Sequence, residues 1–201
     1  SDMFRDEYAE KHPKWADKFN VIHNGYDLQD FQNAETTPKY NFKCIYLGSL
    51  MDDKREGLID LAKAIRDLND EFINNNFEVE IYSHNFARPD LEDKTLQEVF
   101  DRHFIKKDLV PVSEVPNVLA KYEYCLAINS KALPNAFVVK VFEYMALNKK
   151  IVLIAPEGDL PVVLRASNQY VSEYNVEQLK EMLLRMKQDS INKTLVESKG
   201  Y

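Results

Sequence analysis

Short apolar runs alternate with longer amphipathic stretches along this chain, and this alternation limits the folds that it can adopt. The runs are rich in Val, Ile, Phe and Tyr, and several are continuously apolar, as strands buried on both faces are. The stretches between them carry apolar residues at helical spacing, for example Leu58, Leu61 and Ile65. Strands separated by helices favour right-handed crossovers and a mostly parallel sheet.

This alternation predicts a fold of class α/β, a Rossmann-like three-layer α/β/α domain with a mostly parallel sheet. The predicted strands are residues 18–22, 42–47, 77–82, 109–112, 124–128 and 150–154. The predicted helices are residues 54–74, 91–103, 113–121, 137–147 and 176–187, with a further helix over residues 2–14.

The composition is that of a globular protein. Its 201 residues are 45% hydrophobic and 29% charged, and the formal net charge is −7. The acidic balance argues against general binding to nucleic acid, and no run approaches the roughly 20 apolar residues that span a bilayer. Cys44 and Cys125 each lie in an apolar run, so we expect reduced core thiols of a cytoplasmic protein.

The glycines exclude the usual phosphate-binding loops. The chain has five, and none lies two residues from another, so the pattern G-x-G-x-x-G is absent, as is a Walker-type loop. His12, His84 and His103 show no metal-ligand spacing with one another or with the cysteines, so no metal site is predicted. If this chain binds a nucleotide, it does so without a glycine-rich loop.

The first candidate site follows the strand 42–47, because ligands of open parallel sheets bind at the carboxyl ends of strands. Gly48 permits a sharp turn and close approach of the backbone. Lys54 and Arg55 then open a helix, where positive side chains oppose the helix dipole unless an anion lies there. Two interpretations stay open: a phosphate site, or a solvated pair offset by the neighbouring Asp52 and Asp53.

The second candidate is Glu143, which lies in an otherwise mostly apolar helix. A carboxylate in such a helix needs a partner. Lys140, one turn earlier, offers one through a local salt bridge. The alternative is that the two carboxylate oxygens accept hydrogen bonds from two adjacent hydroxyl groups of a ligand.

Three segments resemble motifs of one enzyme family. Val21-Ile-His-Asn-Gly-Tyr-Asp27 through Phe31 resembles the segment V-I-P-N-G-V-D…F that enters the second domain of GT-B glycosyltransferases. Gly48-Ser-Leu…Lys54 resembles their G-R-L…K-G turn. Lys140-Val-Phe-Glu-Tyr-Met-Ala…Lys150-Ile-Val resembles the helix and strand K-x-F-E-Y-M-A-x-G-K-P-V of family 4, also called group 1, and is the most specific of the three.

The resemblance implies one half of a GT-B fold. Residues 1–17 would be a tail or crossover segment from a missing N-terminal acceptor domain, residues 18–187 the donor-binding domain, and residues 188–201 a polar C-terminal tail. The full enzyme would transfer sugar from a UDP- or GDP-type nucleotide sugar to a saccharide or lipid-linked acceptor, with retention of configuration and without a metal or other cofactor. Its expected role is bacterial cell-surface polysaccharide synthesis in the cytoplasm. Any peripheral contact with the inner membrane would be made by the missing half, without which this chain would be inactive.

The same resemblance implies roles for individual residues. Glu143 would hold the ribose hydroxyls and Lys54 the diphosphate, and these two are the expected catalytic residues. Gly48 would let the backbone approach the phosphates, and the base would stack against residues 109–113. The full set of expected donor-binding residues is Gly48, Ser49, Lys54, Arg55, Val112, Asn135, Lys140 and Glu143.

Some positions depart from the family pattern. Many members carry two glutamates eight positions apart, and Asn135 stands in place of the first, so it can bind a sugar hydroxyl but carries no charge. Ser49 replaces the usual arginine, and Arg55, where glycine is usual, is the candidate to compensate. Two other function classes stay open: a non-catalytic nucleotide- or sugar-binding regulatory α/β module, and a GT-B-shaped sugar-nucleotide epimerase.

Overall fold

The computed structural model describes residues 1–34, 40–50 and 52–192, and these contain a six-stranded sheet in which all pairs are parallel. The strand order is β3-β2-β1-β4-β5-β6, the doubly wound order that reverses between β1 and β4. The predicted α/β class and parallel sheet are confirmed. The strands are β1 (Tyr40–Leu47), β2 (Glu78–Tyr82), β3 (Phe104–Lys107), β4 (Tyr122–Ile128), β5 (Lys150–Ile154) and β6 (Tyr170–Ser172).

Helices join consecutive strands and cover both faces of the sheet. Before the sheet come α1 (Asp2–Lys11), a 3-10 turn (Pro13–Lys18) and α2 (Leu28–Phe31). The connecting helices are α3 (Asp52–Leu68), α4 (Glu71–Asn76), α5 (Lys94–His103), a second 3-10 turn (Val112–Glu114), α6 (Val115–Ala120), α7 (Lys140–Ala146) and α8 (Asp159–Ala166), and α9 (Val176–Asn192) follows β6.

Two hydrophobic cores lie on the two faces of the sheet, because side chains alternate along each buried strand. In β4, Leu126 and Ile128 belong to one core, while Cys125 and Ala127 belong to the other. The first core is completed by α3, α4, α5 and α9, and the second by α6, α7 and α8. Both cysteines of the chain are buried free thiols, as predicted.

Two of the predicted strands are wrong. Residues 18–22 form no strand, and the Ile22 side chain is 92% exposed, so neither a neighbouring strand nor a core holds this run. Residues 109–112 form an exposed loop that contains Pro111 and enters the second 3-10 turn. The strands that prediction missed are β3 and β6, which are short and lie at the two edges of the sheet.

The helix predictions differ from the structure mainly at their ends. The predicted helix 54–74 is two helices, because Asn69 has a left-handed φ of 44° and Asp70 caps α4 by accepting a hydrogen bond from the Ile73 N–H. The predicted helices 2–14 and 137–147 are shorter, and α8 was not predicted. α9 continues to residue 192, past the predicted end, and residues 193–201 of the predicted tail lie outside the described residues.

The leading segment, residues 1–34, lies against the edge of the sheet where the strands end. The Met3 N–H donates to Oδ2 of Asp159 at 3.0 Å, at the start of α8. The His23 ring meets the edge of the Phe137 ring, with the centroids 5.9 Å apart. None of the helices in the described ranges has the length and apolar character of a membrane-spanning segment.

Candidate functional site

The candidate site lies where β1 and β4 end side by side. The helices that follow these two strands cover opposite faces of the sheet, so their starts leave a crevice between them. The turn after β1 contains Gly48 and leads into α3, which carries Lys54 in its first turn. The loop after β4 leads into α7, which carries Lys140 and Glu143.

Gly48 is required by its backbone angle and by its neighbour. Its φ of 125° is one that residues with a Cβ rarely adopt. Its N–H donates to the carbonyl oxygen of Tyr82 at 3.0 Å, which ties the turn to the end of β2. A Cβ at this position would lie 2.9 Å from Nζ of Lys140. The lysine amine therefore lies directly against the backbone of the turn.

Lys140 is half-buried, and in the described part of the chain no carboxylate forms an ion pair with it. Its Nζ lies 4.0 Å from the centroid of the Tyr46 ring, a cation–π contact. Burial, reinforced by the charge of Lys54, lowers the pKa of the Lys140 ammonium to about 7, against the opposing effect of Glu143. An anion bound beside this amine would favour its charged form again.

Glu143 is also half-buried, and its carboxylate accepts no hydrogen bond from any described residue. The salt bridge to Lys140 that the sequence leaves open is not formed, because the lysine amine lies over Tyr46. Burial raises the pKa of the Glu143 carboxyl; the charge of Lys140 opposes this rise, and the charge of Asp30 adds to it. This carboxylate is therefore available to accept hydrogen bonds from a ligand.

A cavity of about 520 Å³ lies beside Glu143. The leading segment, the second 3-10 turn and the start of α6 all contribute to its lining. The wall residues given by the structure include aliphatic and aromatic side chains and three carboxylates, but no lysine or arginine. They are Gly25, Tyr26, Asp27, Asp30, Phe31, Leu47, Val112, Ser113, Val115, Pro116 and Glu143.

Lys54 is close enough to Lys140 for its charge to act on that amine. Its own side chain is half-buried and forms no ion pair with a described residue. The neighbouring Asp53, which the alternative interpretation pairs with it, instead accepts a short hydrogen bond from the hydroxyl of Ser130. That contact fastens the start of α3 to the loop after β4.

Ser49 and Arg55 are held by a residue that sequence analysis did not single out, Asn85 in the loop after β2. Nδ2 of Asn85 donates to Oγ of Ser49 at 3.3 Å. Nη2 of Arg55 donates to the carbonyl oxygen of Asn85 at 3.0 Å. Ser49 therefore connects the turn after β1 to the loop after β2, and Arg55 connects the first turn of α3 to the same loop.

Asn135 lies in the loop after β4, away from the walls of the cavity. The loop is fixed by Asn129, whose Nδ2 donates to three of its carbonyl oxygens, the shortest contact being 3.0 Å to Ala136. A Cβ on Gly158 would meet Oδ1 of Asn135 at 3.3 Å, so the asparagine lies against the start of α8.

The structure thus brings Glu143 and Val112 to one cavity and places Gly48 and Lys140 at the adjoining turn, within electrostatic reach of Lys54. The sequence analysis did not predict that the leading segment lines this cavity, although the first of the three family motifs lies in it. Within the described residues, no group of three or more His, Cys, Asp or Glu side chains is arranged to hold a metal ion.

The sequence matches no protein-family model, and a search of the curated proteins finds no match. Solved structures do match. The C-terminal domain of a group 1 family glycosyl transferase, LpcC from Francisella tularensis, is 16% identical over 90% of this chain and 91% of that chain, with a TM-score of 0.56. Sucrose-phosphate synthase from Thermosynechococcus elongatus is 14% identical over 98% of this chain and 50% of that chain, with a TM-score of 0.63.

The fold is that of the C-terminal domain of a GT-B glycosyltransferase. A third structure, S. aureus MnaA solved with UDP, is 15% identical over 92% of this chain and 46% of that chain, with a TM-score of 0.50. This chain therefore spans about half the length of the two longer proteins and nearly all of the LpcC domain. At these identities the likeness to GT-B domains concerns the fold, and the chemistry has to be argued from the site.

Proposed function

We propose that this chain is the donor-binding half of a glycosyltransferase that uses a nucleotide-diphosphate sugar. The observation that carries the proposal is the division of the site into two chemically different parts. Two lysines that form no ion pair with a described residue, Lys54 and Lys140, lie near the Gly48 turn. A cavity with the carboxylate of Glu143 lies next to them. A nucleoside diphosphate has two corresponding parts, an anionic diphosphate and a ribose with two adjacent hydroxyls.

The lysines suit the diphosphate. When the bond between sugar and phosphate breaks, negative charge grows on the diphosphate, and fixed cations stabilise that charge. Their contribution should appear in the rate more than in ground-state affinity, because the charge is greatest in the transition state. In this proposal Lys54 and Lys140 supply the charge that a metal ion supplies in other enzymes, so the reaction requires no bound metal.

The cavity suits the nucleoside. The two oxygens of Glu143 can accept one hydrogen bond each from the ribose hydroxyls. Val112, Pro116 and Phe31 offer apolar surfaces for the base. A volume of about 520 Å³ is in the range of small-molecule sites.

The remaining parts of the proposal extend to the whole enzyme. An N-terminal acceptor domain of the same protein would face the carboxyl edge of the sheet and bind a saccharide or lipid-linked acceptor. Asn135 would approach the donor sugar only if the loop 130–136 moved from its place against α8. Transfer with retention of configuration, in bacterial cell-surface polysaccharide synthesis, is the reaction we propose.

Binding of nucleoside diphosphates to this chain tests the proposal directly. We expect UDP or GDP to raise the melting temperature, and Glu143→Ala to abolish this shift. Glu98→Ala is the matched control, because Glu98 is exposed on α5. If saturating UDP, GDP and ADP all leave the wild-type chain unchanged, the proposal is wrong.

A second measurement assigns the phosphate role. Lys54→Ala should weaken binding of the nucleoside diphosphate more than binding of the nucleoside. Lys63→Ala on the same helix is the control, since its amine pairs with Asp60 at 2.8 Å. Equal losses for the two ligands would remove the phosphate role from Lys54.

A further inference from the structure

The leading segment contributes the carboxylate of Asp30 to the cavity that Glu143 also lines. Asp30 lies in α2 and lines the same cavity as Val112. Its charge contributes to the raised pKa of the Glu143 carboxyl, so the two carboxylates lie within electrostatic reach across the cavity. Neither a hydrogen bond nor an ion pair from the described residues engages the Asp30 side chain.

The third carboxylate of the wall differs from Asp30 in having a structural role. Oδ1 of Asp27 accepts a hydrogen bond from the Gln29 N–H at 2.9 Å and so caps α2. The same helix presents Phe31 to the cavity, and its ring meets the Tyr26 ring edge-on with the centroids 5.8 Å apart. Asp30 is therefore available to accept hydrogen bonds from a ligand, next to the aromatic rings of Tyr26 and Phe31.

We infer that Asp30 determines base specificity and selects guanine over uracil in the nucleotide donor. The inference rests on the proposed function, because it assumes that Glu143 holds the ribose and that the lysines hold the diphosphate. In this arrangement the base would occupy the part of the cavity that Val112 and the leading segment line, where the exposed carboxylate of Asp30 can reach its edge.

The selection follows from the hydrogen-bonding groups of the two bases. Guanine presents adjacent N1–H and N2–H donors, which one carboxylate can accept with both oxygens. Uracil presents a single N3–H between two carbonyl oxygens, and these repel an approaching carboxylate. A wall with acceptors and without a lysine or arginine among its described residues therefore favours the base that is richer in donors.

Calorimetric titration of this chain with GDP, inosine diphosphate and UDP tests the inference. Inosine diphosphate differs from GDP only in lacking the 2-amino group. We expect GDP to bind about tenfold more tightly than either of the other two, as for a bidentate contact to a base. Asp30→Asn should remove the preference for GDP over inosine diphosphate and should not weaken UDP binding, because it also removes the charge that repels the uracil carbonyl oxygens. Asp17→Asn, an exposed carboxylate elsewhere in the leading segment, should leave the preference intact.

The outcomes separate this inference from the proposed function. If UDP binds as tightly as GDP, or if Asp30→Asn keeps the GDP preference, the specificity role is wrong while donor binding stands. If none of the three diphosphates binds, the donor site itself is wrong and the inference falls with it. Retained UDP binding by Asp30→Asn shows that the variant is folded.

Discussion

Glu80 and Glu143 differ in whether their carboxylates have partners within the described part of the protein. Glu80 in β2 is 5% exposed, accepts a short hydrogen bond from the Tyr122 hydroxyl, and lies 3.4 Å from Nζ of Lys107. Burial pushes its pKa up, but these partners outweigh burial and hold the pKa of Glu80 below the usual value. Glu143 has no such partners among the described residues, and burial raises its pKa.

The contrast between these two carboxylates indicates which charged groups of the fold are available to a ligand. Around Glu80, Lys43 and Lys107 approach one carboxylate and the hydroxyls of Tyr82 and Tyr122 point at it, so the polar groups satisfy one another. At the Gly48 turn, lysines and a carboxylate lie near one another without pairing. Burying charges without partners is unfavourable unless a ligand completes them.

The strongest test of this comparison is the same substitution at both glutamates. Glu80→Gln should lower the free energy of unfolding by about 2.5 kcal/mol, because it removes the charged acceptor of the Tyr122 hydroxyl and the carboxylate of Lys107, while Lys43 keeps Glu78 at 3.1 Å. Glu143→Gln should change it by less than about 0.5 kcal/mol, because no described residue loses an ion pair. Urea unfolding at pH 7 measures both values, and equal losses would contradict the comparison.

The pH dependence of the same variants has a definite sign. The folded pKa of Glu80 lies below its unfolded value, so its stabilisation is present above the unfolded pKa and is lost as pH falls through the folded one. The stability difference between wild type and Glu80→Gln should therefore shrink on acidification below about pH 4.5.

Gly48→Ala tests the turn against which the Lys140 amine lies. The φ of 125° should lower stability by about 2 kcal/mol, while the Lys140 amine, at the end of a flexible side chain, can shift away from the added methyl group. Gly25→Ala is a control, since nothing lies within 4 Å of a Cβ there. A Gly48→Ala variant as stable as wild type would show that the turn is not strained.

Lys140→Met should raise stability while weakening diphosphate binding. The folded pKa of about 7 lies below the unfolded value, so this lysine is destabilising below pH 7, and that effect is lost as pH rises toward the unfolded pKa. The gain from Lys140→Met, about 1 kcal/mol at pH 6, should therefore shrink toward pH 10. Unfolding curves at several pH values check the trend, and a constant gain would contradict it.

Binding of a diphosphate should be coupled to protonation of Lys140, and Lys140→Met tests this coupling. A bound diphosphate raises the pKa of Lys140, so wild-type affinity should fall by up to about tenfold between pH 7 and pH 8. Lys140→Met should not show this fall. The titration of the nucleotide itself is common to both proteins and cancels in the comparison, which calorimetry can make.

The smallest expected effects concern the other lysines. Lys107→Met removes a partner of Glu80 and should lower stability by about 1 kcal/mol. Lys54→Met should lower it by less than about 0.5 kcal/mol, because Lys54 forms no ion pair with a described residue. A larger loss at Lys54 than at Lys107 in urea unfolding would reverse the comparison.

The strands that could be predicted from sequence are those buried on both faces. Nearly all residues of β4 and β5 are buried. Strands of this kind have mostly apolar sequences, which is why they could be predicted. β3 contains Lys106 and Lys107 at the edge of the sheet, where one side is open to water, so its run is not apolar. Residues 18–22, which include Lys18 and Asn20, form no strand, and no strand of the described residues pairs with them.

The candidate site was predictable in its residue types and less so in its contacts. Gly48, Lys54 and Glu143 were singled out by position after strands and by the motifs, and the structure places them around one crevice. The contacts of Arg55 with Asn85 depend on a residue 30 positions away, which no local pattern encodes.

The layers of this protein follow from local sequence patterns, because a strand buried on both faces and a helix buried on one face each have a characteristic spacing of apolar residues. The position of Lys140 over Tyr46, where it does not pair with Glu143, and the presence of Asp30 in the same cavity as Glu143 depend on tertiary contacts. These side chains come from segments far apart in the chain. They meet because the strand order reverses between β1 and β4, and electrostatic partners follow from distance in space, not from spacing in sequence.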